Sequence, residues 1–126
     1  MTIKKLKITT IINGTKPEKE YVELFAKQDV DLTNFAILDR TFDKEKKASN
    51  IHRHFYKFPN KELKKGEYIR IYTGKGKPET GEAKAGDKAV ILHYAYWNMD
   101  ECIWNNDALD RATLIEFFIE DGKNVD

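Results

Sequence analysis

The sequence predicts an all-β fold, an antiparallel β-sandwich of about eight strands. Short apolar blocks with alternating polar positions recur along the chain, and turn-forming residues separate them. Strands do not alternate with helical segments in the way that indicates a parallel sheet wrapped by helices. The length of 126 residues is near the common size of one domain, so residues 1–126 are expected to form a single unit.

The first half of the chain contains three such blocks. Apolar and polar residues alternate from Leu6 to Ile12, and Asn13-Gly14 supplies the turn that ends this strand. The block 21–26 carries aromatic residues on its second face, which predicts a central strand that is at least partly covered on both sides. Residues 31–39 open with turn formers, and we interpret them as a turn followed by a strand.

The second half continues the pattern after a charged loop at residues 40–50. Strands are predicted at 54–58, where Pro59 ends the block, and at 68–72. Four glycines between Gly74 and Gly86 predict a mobile excursion. Further strands are expected at 89–97, 103–104 and 112–119, since the last block lacks the three-and-four spacing of an amphipathic helix. Asp121-Gly122 is a hairpin signal, but only four residues follow it, so the preceding strand is expected to keep an open edge.

The composition indicates the cellular compartment of the protein and the distribution of its charge. Cys102 is the single cysteine, so an internal disulfide is impossible. The first residues lack the apolar run of a signal peptide or membrane helix, which favours a cytoplasmic location without a membrane span. Net charge is +1, yet the range 40–65 holds nine basic and three acidic residues. In a sandwich this basic range can lie beside an acidic one, and self-neutralisation is the favoured interpretation.

Two segments resemble the opening of the lamin tail domain. The family pattern has a Val-Glu-Leu strand, an Asp-Leu turn and an aromatic-x-Leu strand, and 21–26 followed by 31–39 has the same order. The segments 54–59, 63–68 and 104–114 then follow as in that family. Ala26, Asn34 and Phe35 depart from the family's usual Asn, Gly and Trp, and Lys65-Gly66 replaces a Pro-Gly turn.

The resemblance implies an immunoglobulin-like sandwich that acts as a non-catalytic interaction module. A protein partner, bound through sheet edges or loops, is the expected ligand, and the oligomeric state is left open. Lamin tail domains also occur appended to secreted or membrane-associated enzymes. This chain has no coiled-coil heptads and no prenylation motif, so a filament role like that of nuclear lamins is not expected. The residues expected to build the fold are Glu23, Leu24, Leu32, Phe35, Trp97, Trp104, Asn105, Asp110 and Leu114.

Catalytic, cofactor and metal signatures are weak. The glycine spacing at 76–81 is that of a phosphate-binding loop, but Glu82-Ala83 follows where Lys and Ser or Thr are needed. The segment starting at Asn105 fails as a calcium loop at two positions. Three histidines and one cysteine show no ligand spacing, and a nucleophilic Cys102 with His93 would need an acid in the same pocket. We therefore expect no enzyme activity, no cofactor and no metal, with His93 packed in its strand and Cys102 a buried, inert thiol.

Nucleic-acid binding is the alternative function. The range 40–65 mixes cations with rings that can stack on bases, among them Phe42 and Phe55. Its possible contacts are Arg40, Lys44, Lys46, Lys47, Arg53 and Lys57. An exposed lysine-rich loop is the simpler interpretation of the same residues.

Overall fold

The computed structural model describes residues 4–40, 54–104 and 111–125. Within these ranges the regular secondary structure is β, apart from two 3₁₀ turns at Pro17–Lys19 and Leu32–Asn34. The ten strands are β1 Leu6–Ile12, β2 Tyr21–Ala26, β3 Val30–Asp31, β4 Phe35–Arg40, β5 Phe55–Lys57, β6 Glu62–Leu63, β7 Tyr68–Tyr72, β8 Glu79–Ala85, β9 Lys88–Tyr96 and β10 Arg111–Glu116. The all-β class predicted from the sequence is confirmed.

The strands form three sheets. A five-stranded sheet has the order β1-β2-β7-β9-β8, a three-stranded sheet the order β10-β4-β5, and β3 pairs with β6. The five-stranded sheet is mixed, because β7 and β9 run parallel, from Tyr68 opposite Leu92 to Tyr72 opposite Tyr96. The prediction of a purely antiparallel fold is wrong at this pair. The chain reverses twice after β7, through the hairpin β8–β9, and β9 therefore returns beside β7 in the same direction.

One hydrophobic core joins the large and the small sheet. Side chains of β2 and β7 meet those of β4 in a single buried cluster, which includes Leu24, Ile69 and Ile37. In β2 the alternation predicted from the sequence is present, since Val22, Leu24 and Ala26 are buried and their neighbours are half-buried. The strand also lies between β1 and β7, as its two-sided apolar pattern predicted.

The turn predicted before β4 is present and has the expected chemistry. The Asp31 carboxylate accepts a hydrogen bond from the backbone N–H of Thr33 at 3.0 Å and one from the Thr33 hydroxyl at 2.6 Å. These bonds favour the ionised form and lower the pKa of Asp31. The 3₁₀ turn then leads directly into β4.

The glycine-rich stretch is more ordered than its composition predicts. Residues 79–85 form β8, which pairs with β9 along its whole length through a turn at Gly86, where φ is +66°. A Cβ at Gly74 would lie 2.8 Å from the backbone nitrogen of Glu18, so this glycine allows two backbones to approach closely. In place of the predicted mobile excursion, the second half of this range is therefore a paired strand.

Two smaller predictions also fail. Ile103 and Trp104 are buried but form no strand, because both backbone N–H groups donate to the Glu20 carboxylate, at 2.8 and 3.2 Å, and not to a neighbouring strand. The last strand, predicted over 112–119, ends already at Glu116, and no strand follows the Asp121-Gly122 signal in the described range up to residue 125, as the short remaining segment led us to expect. The terminal strand β10 lies at one end of the three-stranded sheet, and none of the described strands pairs with its outer side.

Candidate functional site

The solvent-facing side of the five-stranded sheet is rich in aromatic side chains. The ladder places Tyr21 of β2 opposite Tyr72 of β7, and Tyr72 opposite Tyr96 of β9. Tyr94 lies two residues before Tyr96 on the same face of β9. These four half-buried side chains, Tyr21, Tyr72, Tyr94 and Tyr96, are called the tyrosine cluster below.

The rings of the tyrosine cluster contact one another. Tyr72 lies at its centre, with ring centroids 5.0 Å from Tyr21, 5.5 Å from Tyr96 and 6.2 Å from Tyr94. The Tyr72 ring is nearly parallel to those of Tyr94 and Tyr96, at interplanar angles of 20° and 21°. Separations of this size are those of favourable aromatic pairs. The cluster is therefore a preformed row of rings held by three adjacent strands.

An ion pair lies beside this row on the same face. The Arg70 Nε atom donates to Glu23 Oε1 at 2.9 Å, and the guanidinium carbon lies 4.6 Å from the centroid of the Tyr21 ring. Desolvation opposes the charged form, but hydrogen bonds to Glu23 and Tyr72 outweigh it and raise the pKa of Arg70. The Thr9 hydroxyl also contacts the Glu23 carboxylate, at 3.1 Å. Arg70 is thus fixed in place by a carboxylate and an aromatic face.

A shallow cleft of about 220 Å³ opens next to the ion pair. Its lining combines small apolar side chains with charged ones and consists of Glu23, Tyr68, Arg70, Ala83, Lys84, Ala85, Val90 and Leu92. The volume is below the roughly 300–1,000 Å³ that is typical of sites for small molecules and cofactors. The cleft therefore has the size of a receptacle for a side chain.

Gly76 allows the loop after β7 to pack on the tyrosine cluster. A Cβ at this position would lie 2.4 Å from the Cε1 atom of Tyr96, a distance that real side chains do not tolerate. The packing desolvates Tyr96, which together with the negative charge of Glu79 raises the pKa of its hydroxyl. Both effects favour the neutral hydroxyl of Tyr96 over the phenolate.

The core-facing side of the same sheet contains a chain of polar groups that sequence reasoning missed. His93 is buried and hydrogen-bonded, as predicted, with Nδ1 2.9 Å from the Thr80 hydroxyl and Nε2 2.8 Å from Glu67 Oε1. Lys61 Nζ donates to the same hydroxyl at 3.0 Å. Thr80 lies opposite His93 in the β8–β9 ladder, but no sequence spacing connects Glu67 to either residue. None of these side chains lines the cleft described above, and the arrangement satisfies the hydrogen-bonding groups of a buried imidazole.

Cys102 is exposed and not buried, which corrects the sequence-based expectation. Its sulfur donates a hydrogen bond to the carbonyl of Gly14 at 3.3 Å. Desolvation and the negative charge of nearby Glu20 raise the pKa of the thiol, which disfavours the reactive thiolate. Because His93 bonds to Thr80 and Glu67 and the Cys102 thiol to Gly14, the nucleophile pair considered from the sequence is not formed.

The proposed nucleic-acid contacts are only partly described. The side chain of Arg40 and all of Lys44, Lys46, Lys47 and Arg53 lie outside the described residues. Lys57 Nζ donates to Asn60 Oδ1 at 2.9 Å and to the carbonyl of Phe58 at 3.1 Å. In the same basic range, Lys64 pairs with Glu62 at 2.8 Å, but Glu62 is the one carboxylate among four lysines of residues 54–65, so the described part keeps a positive charge.

The residues expected to build the fold occupy different layers. Leu24, Leu32, Phe35 and Trp104 are buried in the core, while Trp97 and Leu114 pack against it from partly buried positions. Glu23 lies on the aromatic side of the sheet in its ion pair with Arg70. Asn105 and Asp110 lie outside the described residues.

Neither a metal site nor a membrane-spanning helix is found among the described residues. No three His, Cys, Asp or Glu side chains of residues 4–40, 54–104 and 111–125 come together as a possible metal site. In those ranges no helix is long and apolar enough to span a membrane. Comparison of the chain with protein-family models, curated proteins and solved structures finds no match.

Proposed function

We propose that this chain is a protein-interaction module of the lamin tail type whose binding surface is the tyrosine cluster together with the adjoining cleft. The observation that carries the proposal is the row of stacked, half-exposed tyrosines beside a fixed arginine. We also propose that the five-stranded and three-stranded sheets form an immunoglobulin-like sandwich. The hydrophobic core that they share supports this arrangement.

The composition of this surface favours a protein as the partner. Tyrosine and arginine are enriched in the energetically important centre of protein interfaces, because they combine apolar area with hydrogen-bonding groups. Tyr72 and Tyr94 are attached to paired strands, so little conformational entropy is lost when a partner covers them. The neighbouring cleft has a floor of Ala83, Val90 and Leu92 that suits an apolar anchor side chain of the partner.

Charge separates this proposal from the nucleic-acid alternative. A surface that stacks bases normally lies along a positively charged groove that follows the phosphates. Here Arg70 is paired with Glu23, and Glu79 stands opposite Tyr94 at the end of the row. These carboxylates would repel a phosphate backbone. The proposed surface also differs from the sheet edges and loops expected from the sequence, since it is the face of a sheet.

The test compares two sets of aromatic truncations. The double variant Tyr72→Ala/Tyr94→Ala removes the centre of the tyrosine cluster, while Phe55→Ala removes an exposed ring on the other sheet and is the matched control. Proteins captured on the immobilised chain would be identified, and the binding of each purified candidate would be titrated. We expect the double variant to weaken binding of the true partner at least ~30-fold, as loss of about 2 kcal/mol at a hot spot does.

Three outcomes contradict the proposal. The first is that the double variant binds the captured protein as tightly as the native chain. The second is that Phe55→Ala abolishes binding and the double variant does not. The third is retention on double-stranded DNA that falls steeply with salt while no protein is captured specifically, which would favour the nucleic-acid alternative.

A further inference from the structure

The sheets of this molecule end in strands that differ in how well they are protected. Exposed edge strands normally carry charges, glycine, proline or a bulge, because a bare edge pairs with other chains. The β1 edge has a register shift between Ile8 and Thr10 and contains Lys7. The β8 edge contains Glu82 and Lys84. These two edges of the five-stranded sheet are therefore poor templates for pairing.

The three-stranded sheet has one protected and one unprotected edge. Strand β5 has only three residues and is followed closely by Pro59. Strand β10 has six residues, and between its terminal Arg111 and Glu116 there is no charge, glycine or proline. No described strand lies on its outer side. Among the longer described strands that end a sheet, β10 has neither a register shift nor a charge, glycine or proline in its four central residues.

The direction of its free peptide groups follows from the ladder. The backbone N–H of Phe117 donates to the carbonyl of Asn34 at 2.8 Å, just beyond the ladder that joins β10 to β4. In antiparallel pairs the residues that bond to a given neighbour alternate, so Phe117, Ile115 and Thr113 direct their peptide groups to β4. Ala112, Leu114 and Glu116 direct theirs to the open side.

We infer that β10 pairs antiparallel with β10 of a second copy of this chain, around a two-fold axis at Leu114. When the two-fold axis is perpendicular to the sheet, each face of the sheet continues from one copy into the other. Residues that stand opposite each other must point to the same face, so both are odd-numbered or both are even-numbered. With Leu114 opposite Leu114, Ala112 stands opposite Glu116 of the second copy. All three outward-facing residues are then hydrogen-bonded. An axis at Thr113 would leave Glu116 without a partner in the other strand.

The side chains agree with a second copy as the occupant. On one face Thr113 would stand opposite Ile115 of the second copy, a pair of β-branched residues that suits neighbouring strands. The strands run in opposite directions, so the Arg111 end of one copy lies along the Glu116 end of the other and no like charges meet. Beyond the strand, Phe118 and Ile119 are 81% and 68% exposed and can add apolar contact. The six-residue strand β10 thus complements itself.

The interface predicted in this way is small. One pair of six-residue strands buries less than the roughly 1,000 Å² that is usual for stable complexes, so we expect a dissociation constant in the micromolar range or weaker. It uses an edge of the three-stranded sheet and leaves the tyrosine cluster free. Its test is therefore independent of the proposed protein-binding surface.

The first experiment measures mass and amide exchange against concentration. Sedimentation velocity of the full chain from about 1 µM to 1 mM should show a monomer–dimer equilibrium. Hydrogen exchange at the high end should protect the amides of Ala112, Leu114 and Glu116, which face solvent in the monomer. The amide of Thr113, already bonded to β4, is the internal control and should change little. A monomer throughout, or protection confined to other strands, would overturn the inference.

The second experiment tests the register with a disulfide. Leu114→Cys in a Cys102→Ser background should cross-link under mild oxidation, since directly opposed hydrogen-bonded residues have Cα atoms about 5.5 Å apart, within disulfide reach. Glu116→Cys in the same background is the matched control and should stay monomeric, because four residues separate it from its counterpart. Equal cross-linking of both variants would refute the register. If Leu114→Cys does not fold, Thr113→Cys/Ile115→Cys tests the same register, because these residues stand opposite each other.

Discussion

The two faces of the five-stranded sheet carry side chains of the same strands but have different roles. The core-facing side carries aliphatic residues such as Leu24 and Ile69, with a few buried polar groups that are hydrogen-bonded. The opposite side carries the tyrosine cluster and the Arg70–Glu23 pair, all half-exposed. Neighbouring residues of one strand therefore serve stability and recognition in alternation. We therefore expect substitutions on the core-facing side to lower the stability of the fold, and substitutions on the opposite side to weaken binding of a partner.

The largest effect should come from Leu24→Ala compared with Phe25→Ala. Leu24 is fully buried between two sheets, and its truncation should lower the free energy of unfolding by about 3 kcal/mol. Phe25 lies on the other face, half-exposed and 5.0 Å from the Tyr68 ring, and should cost ~1 kcal/mol. Urea denaturation of both variants measures the difference. Equal losses would show that the two faces are equally part of the core.

Glu20 is a fully buried polar side chain that accepts several hydrogen bonds on the core-facing side. Its Oε1 atom accepts hydrogen bonds from the Thr73 hydroxyl at 2.8 Å and from the backbone N–H groups of Ile103 and Trp104. Glu20→Ala leaves these three buried donors without an acceptor and should cost about 2–3 kcal/mol. Glu20→Gln retains an acceptor oxygen and should cost less than about 1 kcal/mol. If both variants were equally destabilised in thermal denaturation, the charge and not the hydrogen-bonding oxygen would be essential.

Acid should weaken the core-facing side through Glu67. Desolvation raises the pKa of this carboxyl, but hydrogen bonds from His93 and the backbone of Lys64 outweigh it, so the folded-state pKa is below the ordinary value of 4.5. A depressed pKa means that the stabilisation is complete above the unfolded-state pKa and is lost as pH falls through the folded-state pKa. Glu67→Gln should therefore differ most from the native chain at pH 7 and least near pH 3. A gap that widens in acid, measured by denaturation at each pH, would contradict this sign.

Substitution of the tyrosine cluster should lower stability less than Leu24→Ala does. Tyr72→Ala/Tyr94→Ala removes three ring contacts but truncates half-exposed side chains, and should cost at most about 2 kcal/mol in total. The same variant should lose partner binding, as proposed above. A larger loss of stability, comparable to that of Leu24→Ala, would place these rings in the core and remove the distinction between the faces.

Much of the fold could be predicted because the period-two pattern is strong. Strands β1, β2 and β7 lie where alternation of apolar residues placed them, and β4, β9 and β10 overlap the other apolar blocks that were predicted to be strands. Strand β8 was missed because its sequence, Glu79–Ala85, contains small and charged residues and is fixed by pairing with β9. The parallel β7–β9 pair was missed because local patterns carry no information on which distant strands become neighbours.

The candidate site was less predictable than the fold. Each tyrosine of the cluster was visible in an alternating strand, yet their contact depends on the register of three strands that are distant in sequence. The Glu67–His93–Thr80 chain depends on the same tertiary pairing. Conversely, the basic range drew attention because of its composition, but Lys57 and Lys64 in its described part bond to the nearby Asn60 and Glu62.

The pairing of β4 with β10 has a consequence for how the chain is made. Phe35 stands opposite Glu116, so a ribosome must release most of the chain before β4 acquires this neighbour. Until then an apolar strand that contains Ile37 and Leu38 has one bare side, while β5 can already cover the other. Nascent chains that stall between these two points should be prone to aggregation and dependent on chaperones.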